Sequence, residues 1–597
     1  MSKWMVAAKK ADFNKISEKF GISVITARLI RNRDVIGDEA INMYINGGKS
    51  FLHDPYKLPD IEKAAEIILK AIDANEKIRV IGDYDVDGVT SSFILKKGLE
   101  KAGANVDVRL PHRILDGYGL NDNLVKNAKD DGINVIMTCD NGIAAAEQVQ
   151  LAKELNMTVV VTDHHEVPYI ESDGASNEVL PPADAIVDPK RKDCEYPFKE
   201  ICGAVVAYKF LEVLFDKMGE HIEGKDAFLN EMIVFAGLAT VCDVMPLSDE
   251  NRIFVKESLK RIKGCNNFGL QSLIRLNGLD SKAISCYHYG FIIGPCLNAT
   301  GRLSSASTAL ELLDAVSEDE ANELAEKLVE LNGERKTLTE KGVVTASEYM
   351  ATEYHELPKV IVIYLKDSHE SVAGIIAGKL KEKYNRPALV ITDGENICKG
   401  SGRSIDNYDM FAEMSKCRDL FTKFGGHKMA AGFSLEEKNI DILRQRLNDE
   451  CRLSDNDFEK VEHIDMVMPL KYATMNLVKE FKVLEPFGNA NKKPVFAERK
   501  VQLISGRIMG KNQNCGKYSI LDSEGRSYEM VYFGDMERWT MFLNENFGSE
   551  TIDKLYEGTL KEKIYINIAY APDINVFRDR ENLQIVMQDF LPYIEKN

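Results

Sequence analysis

The sequence lacks an apolar run of the ~20 residues that a membrane-spanning helix needs. Its opening segment, MSKWMVAAKKADFNKISEKF, carries charges throughout and does not have the pattern of a signal peptide. The eleven cysteines are odd in number and scattered, and they form no C-x-x-C pair. These absences argue against a membrane protein, a secreted disulfide framework and a zinc cluster. We therefore expect a cytoplasmic protein in a reducing compartment.

Positive charge is also scarce. The chain has 76 Lys and Arg against 94 Asp and Glu, which gives a net charge of −18. This balance ordinarily weighs against a polyanionic partner, although bound cations or a groove lined by Lys and Arg can attract phosphate to an acidic protein. The length of 597 residues is too great for a single hydrophobic core, so several domains are expected.

Two stretches of the chain alternate short apolar runs with helical patterns. In the first, KIRVIG, NVDVRLP, INVIMTC and MTVVVT are typical of strands buried on both faces, which predicts a doubly wound parallel α/β sheet. A second α/β pattern begins after Pro358, and the charged stretch before it predicts a long, solvated helix or a helical pair. After Pro494, short strands with turn signals predict a small OB-like β-barrel.

These patterns predict five regions. They are an N-terminal helical arm (1–55), a first α/β domain (56–310), a helical connector (311–357), a second α/β domain (358–450) and a C-terminal OB-like domain (451–597).

Three carboxylates, Asp83, Asp85 and Asp87, follow the first predicted strand in the stretch VIGDYDVDGVTSS. An EF-hand calcium loop is excluded, because its twelfth position would be Ile94 instead of Glu and because the loop follows a strand. A helix N-cap accounts for only one of the three acids. In an extended segment such side chains lie ~6–7 Å apart on one side, where unit charges repel by ~2–3 kcal/mol at an effective dielectric near 20. A divalent cation would reverse the sign of that interaction, which favours a metal site.

Other strands of the same predicted sheet also end in potential ligands. Asp140 follows INVIMTC, the triplet Asp163-His164-His165 follows MTVVVT, and Asp243 follows the apolar run GLATVC. Each has an ordinary explanation on its own, as a turn or as a hydrogen-bonded structural residue. Together they offer hard oxygen donors and an imidazole at the carboxyl ends of strands, which favours paired Mn²⁺ or Mg²⁺ over zinc.

These motifs resemble those of the DHH phosphoesterase superfamily. The match extends over most of the chain and includes LPHRILDGYGL, ATVCDVMPLSDENR, GPCLNATGRL, DSHESVAGIIAGKL and the segment FGGHKMAAGFSL, which is typical of the associated DHHA1 domain. The chain departs from the usual pattern at His112, where Asn is more common, and at SHES, where a Trp-His pair is common. The resemblance implies a DHH catalytic domain, a DHHA1 substrate-binding domain and a metal-dependent, single-strand-specific 5′-to-3′ exodeoxyribonuclease of recombination and repair.

The resemblance also implies roles for individual residues. Asp83 and Asp85 would hold one ion, Asp87, His164 and Asp243 the other, and Asp140 would bridge them. His165 would contact the phosphate or assist proton transfer, and Asp163 would either orient an imidazole or only end its strand. The residues expected to bind substrate lie in loops and glycine-containing segments: Arg113, Asn298, Arg302, His369, Ser401, Arg403, Gly425, Gly426 and His427.

The expected partners are single-stranded DNA, a single-strand-binding protein and a helicase, with the chain acting as a monomer. Four aromatics of the tail, Tyr518, Tyr532, Phe533 and Phe577, are candidates for base stacking, although aromatics at alternating strand positions more often belong to a core.

Two alternatives for the function remain open. One is a DHH enzyme for small phosphates, such as a pyrophosphatase, an oligoribonuclease or a cyclic-dinucleotide phosphodiesterase, and the other is a non-catalytic nucleic-acid-binding scaffold.

Overall fold

The computed structural model of the protein describes residues 2–112, 119–172, 175–394, 396–510, 512–577 and 580–595. The chain forms two units, one of Gly47–Ser454 and one in which Met1–Asn46 packs with Asp455–Asn597. Across the described ranges, no helix is both long enough and apolar enough to cross a membrane.

The N-terminal segment consists of β1 (Lys3–Val6), α1 (Phe13–Phe20), α2 (Val24–Asn32) and α3 (Asp38–Asn46). Its first helix has clear local signals, because Asp12 caps the Lys15 amide at 3.1 Å and Gly21 ends the helix in the left-handed region at φ 65°.

The first lobe contains the predicted sheet and its helices. Its elements are α4 (Ile61–Asp73), β2 (Lys77–Ile81), α5 (Val86–Lys101), β3 (Asn105–Arg109), α6 (Asp122–Asp130), β4 (Val135–Cys139), α7 (Ala146–Glu154), β5 (Thr158–Thr162), β6 (Tyr169–Ser172), β7 (Ala175–Glu178) and β8 (Ala185–Val187). A helical part follows with α8 (Gly203–Met218), α9 (Lys225–Cys242), α10 (Asp249–Arg261), α11 (Phe268–Leu276), α12 (Cys286–His288), α13 (Gly294–Leu303) and α14 (Ser307–Asp314).

All strands of the main sheet are parallel, in the order β3-β2-β4-β5-β8. Helices α4, α5 and α8 belong to the large core on one face of the sheet, and α6 and α7 belong to the smaller core on the other. The predicted doubly wound sheet is therefore confirmed, with β3 as a half-buried edge strand. The chain order reverses between β2 and β4, and the crevice at such a switch point is where open α/β sheets bind ligands.

The connector is a single helix, α15 (Glu318–Glu353), which begins with the Ser317 side chain accepting the Glu320 amide at 3.3 Å. Three acids in its first turn complement the positive end of the helix dipole. The expectation of a solvated connector is wrong in part, because a stripe of small and apolar residues is buried along the helix. At one of them, Gly342, an added Cβ would lie 2.3 Å from Cδ1 of Ile376, so the glycine permits close packing.

The second lobe contains β9 (Ile361–Tyr364), α16 (Ala373–Tyr384), β10 (Ala388–Thr392), β11 (Cys398–Arg403), α17 (Met410–Ser415), β12 (Phe421–His427), β13 (Ala430–Leu435) and α18 (Ile440–Asp449). Its sheet has the order β12-β13-β11-β10-β9, in which only β9 and β10 are parallel. The predicted second α/β lobe is therefore present with a mixed sheet.

The C-terminal segment contains β14 (Val461–Ile464), β15 (Met466–Val467), α19 (Met475–Glu480), β16 (Phe496–Met509), β17 (Cys515–Leu521), β18 (Ser527–Tyr532), α20 (Met536–Phe547), α21 (Ser549–Glu557), β19 (Ile564–Phe577) and β20 (Arg580–Pro592). Strands β16, β17, β18, β20 and β19 form a closed barrel, because β19 pairs back onto β16. The predicted barrel is confirmed. Leu29, Ile30, Ile41 and Tyr44 of the N-terminal segment belong to the barrel's core, a packing that the sequence patterns did not indicate.

Candidate metal centre and substrate surface

The loop after β2 brings three carboxylates to the carboxyl edge of the parallel sheet. Asp83 accepts a hydrogen bond from the Gly119 amide at 3.3 Å. Asp85 is the N-cap of α5, and its Oδ1 accepts the Gly88 amide at 3.1 Å. Asp87 lies inside the first turn of that helix. The expectation of an extended segment is therefore wrong for Asp87, which the helix turns toward a different set of neighbours.

Asp87 faces the N-terminus of α8. Its two oxygens accept the Gly203 amide at 2.7 Å and the Ala204 amide at 2.8 Å. The first amides of a helix have no partner within the helix and stabilise an anion. A Cβ at Gly203 would lie 2.8 Å from Cβ of Asp140 and 3.1 Å from Oδ2 of Asp87, so only glycine fits. The sequence motifs did not mark this position, and its local signal was a glycine at the start of the apolar run GAVVAYKF.

Asp140 directly follows β4, and its backbone lies in the left-handed region at φ 58°. Asp tolerates this conformation better than most residues with a side chain, and strained positions of this kind cluster at functional sites. The next residue, Asn141, donates its side-chain amide to the carbonyls of Ile81 and Cys139 at 3.0 and 2.9 Å. The Asp-Asn-Gly turn therefore ties the ends of β2 and β4 together.

The triplet after β5 places two imidazoles beside these acids. Nε2 of His164 lies 3.0 Å from Oδ1 of Asp140 and 3.4 Å from Oδ2 of Asp87. Burial lowers the pKa of His164, which favours the neutral imidazole that a metal requires. Asp243, the C-cap of α9, completes this group with Oδ2 at 3.8 Å from the same Nε2.

Asp163 holds the two histidines in place. Its Oδ1 accepts the backbone amide of His164 at 2.8 Å and lies 2.7 Å from Nδ1 of His165, while Oδ2 accepts the Ile143 amide at 2.9 Å. Burial opposes the charge of His165, but the Asp163 hydrogen bond and the neighbouring acids prevail and raise its pKa to about 9. Of the two roles considered for Asp163, the contacts match the orientation of an imidazole.

The side chains group as metal ligands would. Three sets have ligand atoms that all lie within 4.8 Å of one another: Asp83–Asp85–Asp140, Asp87–His164–Asp243 and Asp140–His164–His165. Asp140 is shared by two of them. Burial and the mutual repulsion of the acids raise the pKa of Asp83, Asp85, Asp140 and Asp243. Such a donor set fits hard divalent cations such as Mn²⁺ or Mg²⁺, whose charge would compensate the clustered carboxylates.

One further acid near this edge was not singled out by the sequence. Asp188 follows β8 and is fully buried, with Oδ1 accepting the Lys190 amide at 2.7 Å. Its Oδ2 has no hydrogen-bond partner among the described residues. Burial, with Asp163 as the leading like charge, raises the pKa of Asp188 to about 8. The signal in the sequence was an Asp at the end of the short apolar run AIV, as for the other strands.

The second lobe displays its predicted residues on the face of a sheet. The register of β11, β13 and β12 gives two rows, Ser401–Gly432–Gly425 and Arg403–Ala430–His427. Opposed residues of antiparallel strands share a face, as do residues two apart along one strand, so both rows lie on the same face. No atom lies within 4 Å of a Cβ built at Gly425 or Gly432, so this strip of the face is open. At Gly426 a Cβ would meet the Ala430 carbonyl oxygen at 2.5 Å.

Ser401 and Arg403 lie beside the start of α16. The guanidinium of Arg403 donates to Oγ of Ser401 at 3.0 Å. A Cβ at Gly374, in the first turn of α16, would lie 2.8 Å from that Oγ and 2.9 Å from Nη2 of Arg403. A serine hydroxyl, a guanidinium and a helix N-terminus together make a suitable anion site.

The remaining predicted substrate residues are distributed between the two lobes. Asn298 in α13 accepts the Val86 amide with its Oδ1 at 3.1 Å, so it contacts the acidic loop directly. Arg302 in the same helix donates to the Ser371 carbonyl at 2.9 Å and so reaches the second lobe. His369 bonds Oγ of Ser371 at 2.6 Å. Arg113 lies outside the described residues.

The barrel aromatics divide between core and surface. Tyr518 and Tyr532 are buried, which matches the expectation that strand aromatics form a core, whereas Phe533 is 64% exposed. The side chain of Phe577 lies outside the described part of the chain.

Comparison with known proteins covers most of the sequence. Three family models match: "DHH family, N-terminal domain" over residues 77–236, "DHHA1 domain" over 357–453 and "RecJ OB domain" over 464–589. The single-stranded-DNA-specific exonuclease RecJ of Bacillus subtilis is 34% identical over 593 residues, which are 98% of this chain and 70% of that protein. The Escherichia coli protein of the same name is 30% identical over 560 residues, covering 90% of this chain and 91% of the relative.

Solved structures agree with these matches. A crystal structure of exonuclease RecJ bound to manganese is 31% identical, with a TM-score of 0.57, and the alignment covers 67% of this chain and 96% of that one. The RecJ structure from Thermus thermophilus in complex with Mn²⁺ covers 99% of this chain and 80% of its own, with a TM-score of 0.79 at 23% identity, and it supports the fold.

Proposed function

The chain belongs to the RecJ family, and from this premise we propose that it hydrolyses single-stranded DNA from the 5′ end and releases 5′-mononucleotides. It is a metal-dependent exodeoxyribonuclease whose cofactors are Mn²⁺ or Mg²⁺. The observation that carries this proposal is the meeting of Asp83, Asp85, Asp140, His164 and Asp243 at one sheet edge in overlapping ligand sets. These residues come from separate parts of the sequence, so an accidental acidic patch is a poor explanation.

The ligand sets suggest which residues would hold each ion. Asp83 and Asp85 would hold one ion, and Asp87, His164 and Asp243 would hold the other. Asp140 shares one ligand set with Asp83 and Asp85 and another with His164, so it lies within reach of both groups. Two divalent cations, when bound, activate a water, hold the scissile phosphate and stabilise the leaving oxygen.

The protein's own groups would orient the substrate around that centre. Asp163 fixes the ring of His165 through Nδ1, so His165 would act on a phosphate oxygen through Nε2, as a donor or in proton transfer. The helix dipole of α8 and the Gly203 and Ala204 amides hold Asp87 in position.

The second lobe would bind the end of the strand. Ser401, Arg403 and His427 line an open glycine strip that admits a phosphate and the backbone of a single strand. Arg302 spans from the metal side to this lobe. A 5′ phosphate held there would place a phosphodiester bond a short distance inward at the metal centre, which would make the enzyme act from an end.

The alternatives have less support. A DHH enzyme for small phosphates needs no nucleic-acid-binding tail, whereas residues 464–589 match the RecJ OB domain. A scaffold without activity would have lost ligands, whereas all six predicted ligands are present and grouped.

The test uses single-stranded oligonucleotides labelled at the 5′ end and blocked at one end or the other, with Mn²⁺ or Mg²⁺. We expect 5′-mononucleotides from strands with an open 5′ end, and no products from pyrophosphate or a cyclic dinucleotide. The variant Arg403→Glu should lose end-dependent digestion while Mn²⁺ still raises its melting temperature. Equal digestion of strands blocked at the 5′ end would contradict the proposal.

We further propose that the chain works as a monomer in the cytoplasm, in recombination and repair, alongside a helicase and a single-strand-binding protein. A helicase would produce the single strand that the enzyme consumes. All eleven cysteines are free thiols, which suits a reducing compartment. Sedimentation of the purified protein with and without DNA tests the monomer.

A further inference from the structure

An exposed pair of aromatic rings lies outside the site described so far. Tyr287 of α12 is 62% exposed and Phe291, in the π-helical turn Tyr289–Ile293, is 67% exposed. Their rings are stacked, with centroids 5.1 Å apart and an angle of 24° between the planes. Contiguous exposed apolar surface of this kind is typical of an interaction site.

The pair stands on backbone that packs against a predicted metal ligand. The Cys242 thiol donates to the Tyr289 carbonyl at 3.6 Å, and Cys242 directly precedes Asp243. A Cβ at Gly290 would lie 3.8 Å from Val241, which is in the same last turn of α9. On the other side of Asp243, Val244 is 66% exposed with a left-handed backbone at φ 58°. The rings therefore stand on a helical turn that packs against the last turn of α9, which ends beside Asp243.

The same helical run leads from the rings to the second lobe. It comprises α12, the π-helical turn and α13, so Phe291, Asn298 and Arg302 follow one another along it. Asn298 contacts the acidic loop at Val86, and Arg302 contacts the second lobe at Ser371. Phe291 lies about two turns before Asn298, which is roughly 10 Å along the axis. Along this run the rings come first, then Asn298 at the metal loop, and then Arg302 at the second lobe.

We propose that Tyr287 and Phe291 form a stacking platform for a base on the 3′ side of the scissile phosphate. This inference rests on the proposed function. If the second lobe binds the 5′ end, then the end of the helical run that carries the rings, opposite to Arg302, faces the strand beyond the cleaved bond. Aromatic rings stack on any base, which suits an enzyme that must advance through every sequence. Stacking also supplies affinity that a chain of net charge −18 does not gain from long-range attraction of phosphates.

The test compares the full-length protein with the double variant Tyr287→Ala/Phe291→Ala on a long single strand and on a dinucleotide, both with Mn²⁺. We expect KM for the long strand to rise about tenfold, with a much smaller change for the dinucleotide, which ends before the platform. The variants Tyr287→Phe and Phe291→Tyr keep a ring and should restore the KM of the unaltered protein. The matched control is Phe268→Ala, a 43% exposed phenylalanine at the start of α11.

Abasic strands provide a second readout that misfolding would not imitate. A single abasic residue is moved stepwise from the 5′ end of the long strand. For the unaltered protein, KM should rise at the position that reaches the platform, and in the double variant this position effect should vanish.

The outcomes separate this inference from the function on which it rests. If the unaltered protein fails to degrade single strands, the proposed function fails. If it degrades them, while the double variant keeps the same KM and the same abasic profile, the platform is wrong and the pair belongs to a protein contact.

Discussion

The two five-stranded sheets of the Gly47–Ser454 unit present their candidate sites in different ways. In the main sheet of the first lobe all five strands run parallel, so their carboxyl ends share one edge and collect side chains from distant parts of the sequence. In the second lobe β11, β13 and β12 are antiparallel, and the candidate residues lie in rows across a face that glycines keep open. The edge of the parallel sheet brings its ligands together at one place, whereas the face of the antiparallel strands offers an extended binding surface.

The two candidate sites also differ in the chemical groups that they offer. The first concentrates carboxylates whose pKa values are raised by burial and by one another, so it is suited to bind cations at a cost in stability. The second offers a guanidinium, a hydroxyl and an imidazole beside a helix N-terminus, which are donors for phosphate. Under the proposed function, cleavage and end recognition would be separable, and variants in each lobe should fail differently.

The largest effect is expected for Asp140→Asn in the first lobe. Asparagine keeps the shape and tolerates the left-handed backbone, but it removes a charge from two ligand sets. We expect digestion to slow by about three orders of magnitude, which is ~4 kcal/mol in the transition state. In EDTA the melting temperature should rise, because one repelling carboxylate is gone, and added Mn²⁺ should raise it less than in the unaltered protein.

Asp130→Asn, at the exposed end of α6, is the control for this change, and it should leave both quantities unaltered. Digestion at the normal rate by the Asp140→Asn protein would remove the basis for the metal centre.

Asp163→Asn should lower the activity about 100-fold, because Asp163 orients the imidazole of His165 and holds the backbone amide of His164. The loss should depend on pH. His165 keeps its proton up to a pKa of about 9 through Asp163, and without the carboxylate its pKa should fall toward the ordinary value of ~6.5. The variant should therefore lose more activity near pH 8 than near pH 6, as measured by rate profiles of both proteins.

The contact between His165 and Asp163 should also make the stability of the fold fall as the pH rises. Because the pKa of His165 is raised in the folded state, binding of its proton stabilises the fold. This contribution is fully present below pH ~6.5 and disappears as the pH rises through about 9. Denaturant unfolding with parallel pH dependence in the two proteins would contradict the coupling.

Gly203→Ala tests whether the first lobe depends on close backbone approach. The added methyl would meet Asp140 at 2.8 Å and push it or Asp87 from position. We expect a loss of ~10- to 100-fold in activity and weaker Mn²⁺ binding. Gly264→Ala is the matched control, since no atom lies within 4 Å of its Cβ, and titration of both variants with Mn²⁺ shows whether the ligands have moved.

The smallest effect is expected for Gly432→Val in the second lobe, which fills the open strip without disturbing the metal centre. KM for long single strands should rise by a few-fold to about tenfold, at most ~1.4 kcal/mol, while Mn²⁺ binding is unaltered. Gly378→Val, an open position on α16, is the control in the same lobe. A fall in Mn²⁺ affinity equal to that of Gly203→Ala would contradict the proposal that the two lobes have separate roles.

Much of the fold was readable from the sequence, because its signals are local. The apolar runs that became β2, β3, β4 and β5 and the caps of α1 and α15 are set by neighbouring residues. The acids at strand ends predicted a site, because carboxyl ends of parallel strands meet wherever such a sheet forms. The extended geometry expected for Asp87 failed, because the helix already begins at Val86.

Contacts between distant segments could not be read in this way. Nothing near Gly203 in the sequence reports that its amide meets Asp87, and nothing near Leu29 reports that it packs in the C-terminal barrel. The same holds for the partly buried stripe of α15, whose charged pattern looked like that of a solvated helix.

The sequence by itself determined the kinds of ligand, their place at the ends of strands and the order of the domains, since these follow from residue type and periodicity along the chain. Only the tertiary structure decided which acid lies beside which, that Asp140 falls within reach of both groups, and that the helical turn under two exposed rings packs against the end of α9. The physical reason is that strand and helix propensities act over a few residues, whereas ligand sets and surfaces depend on distances between segments that packing alone fixes.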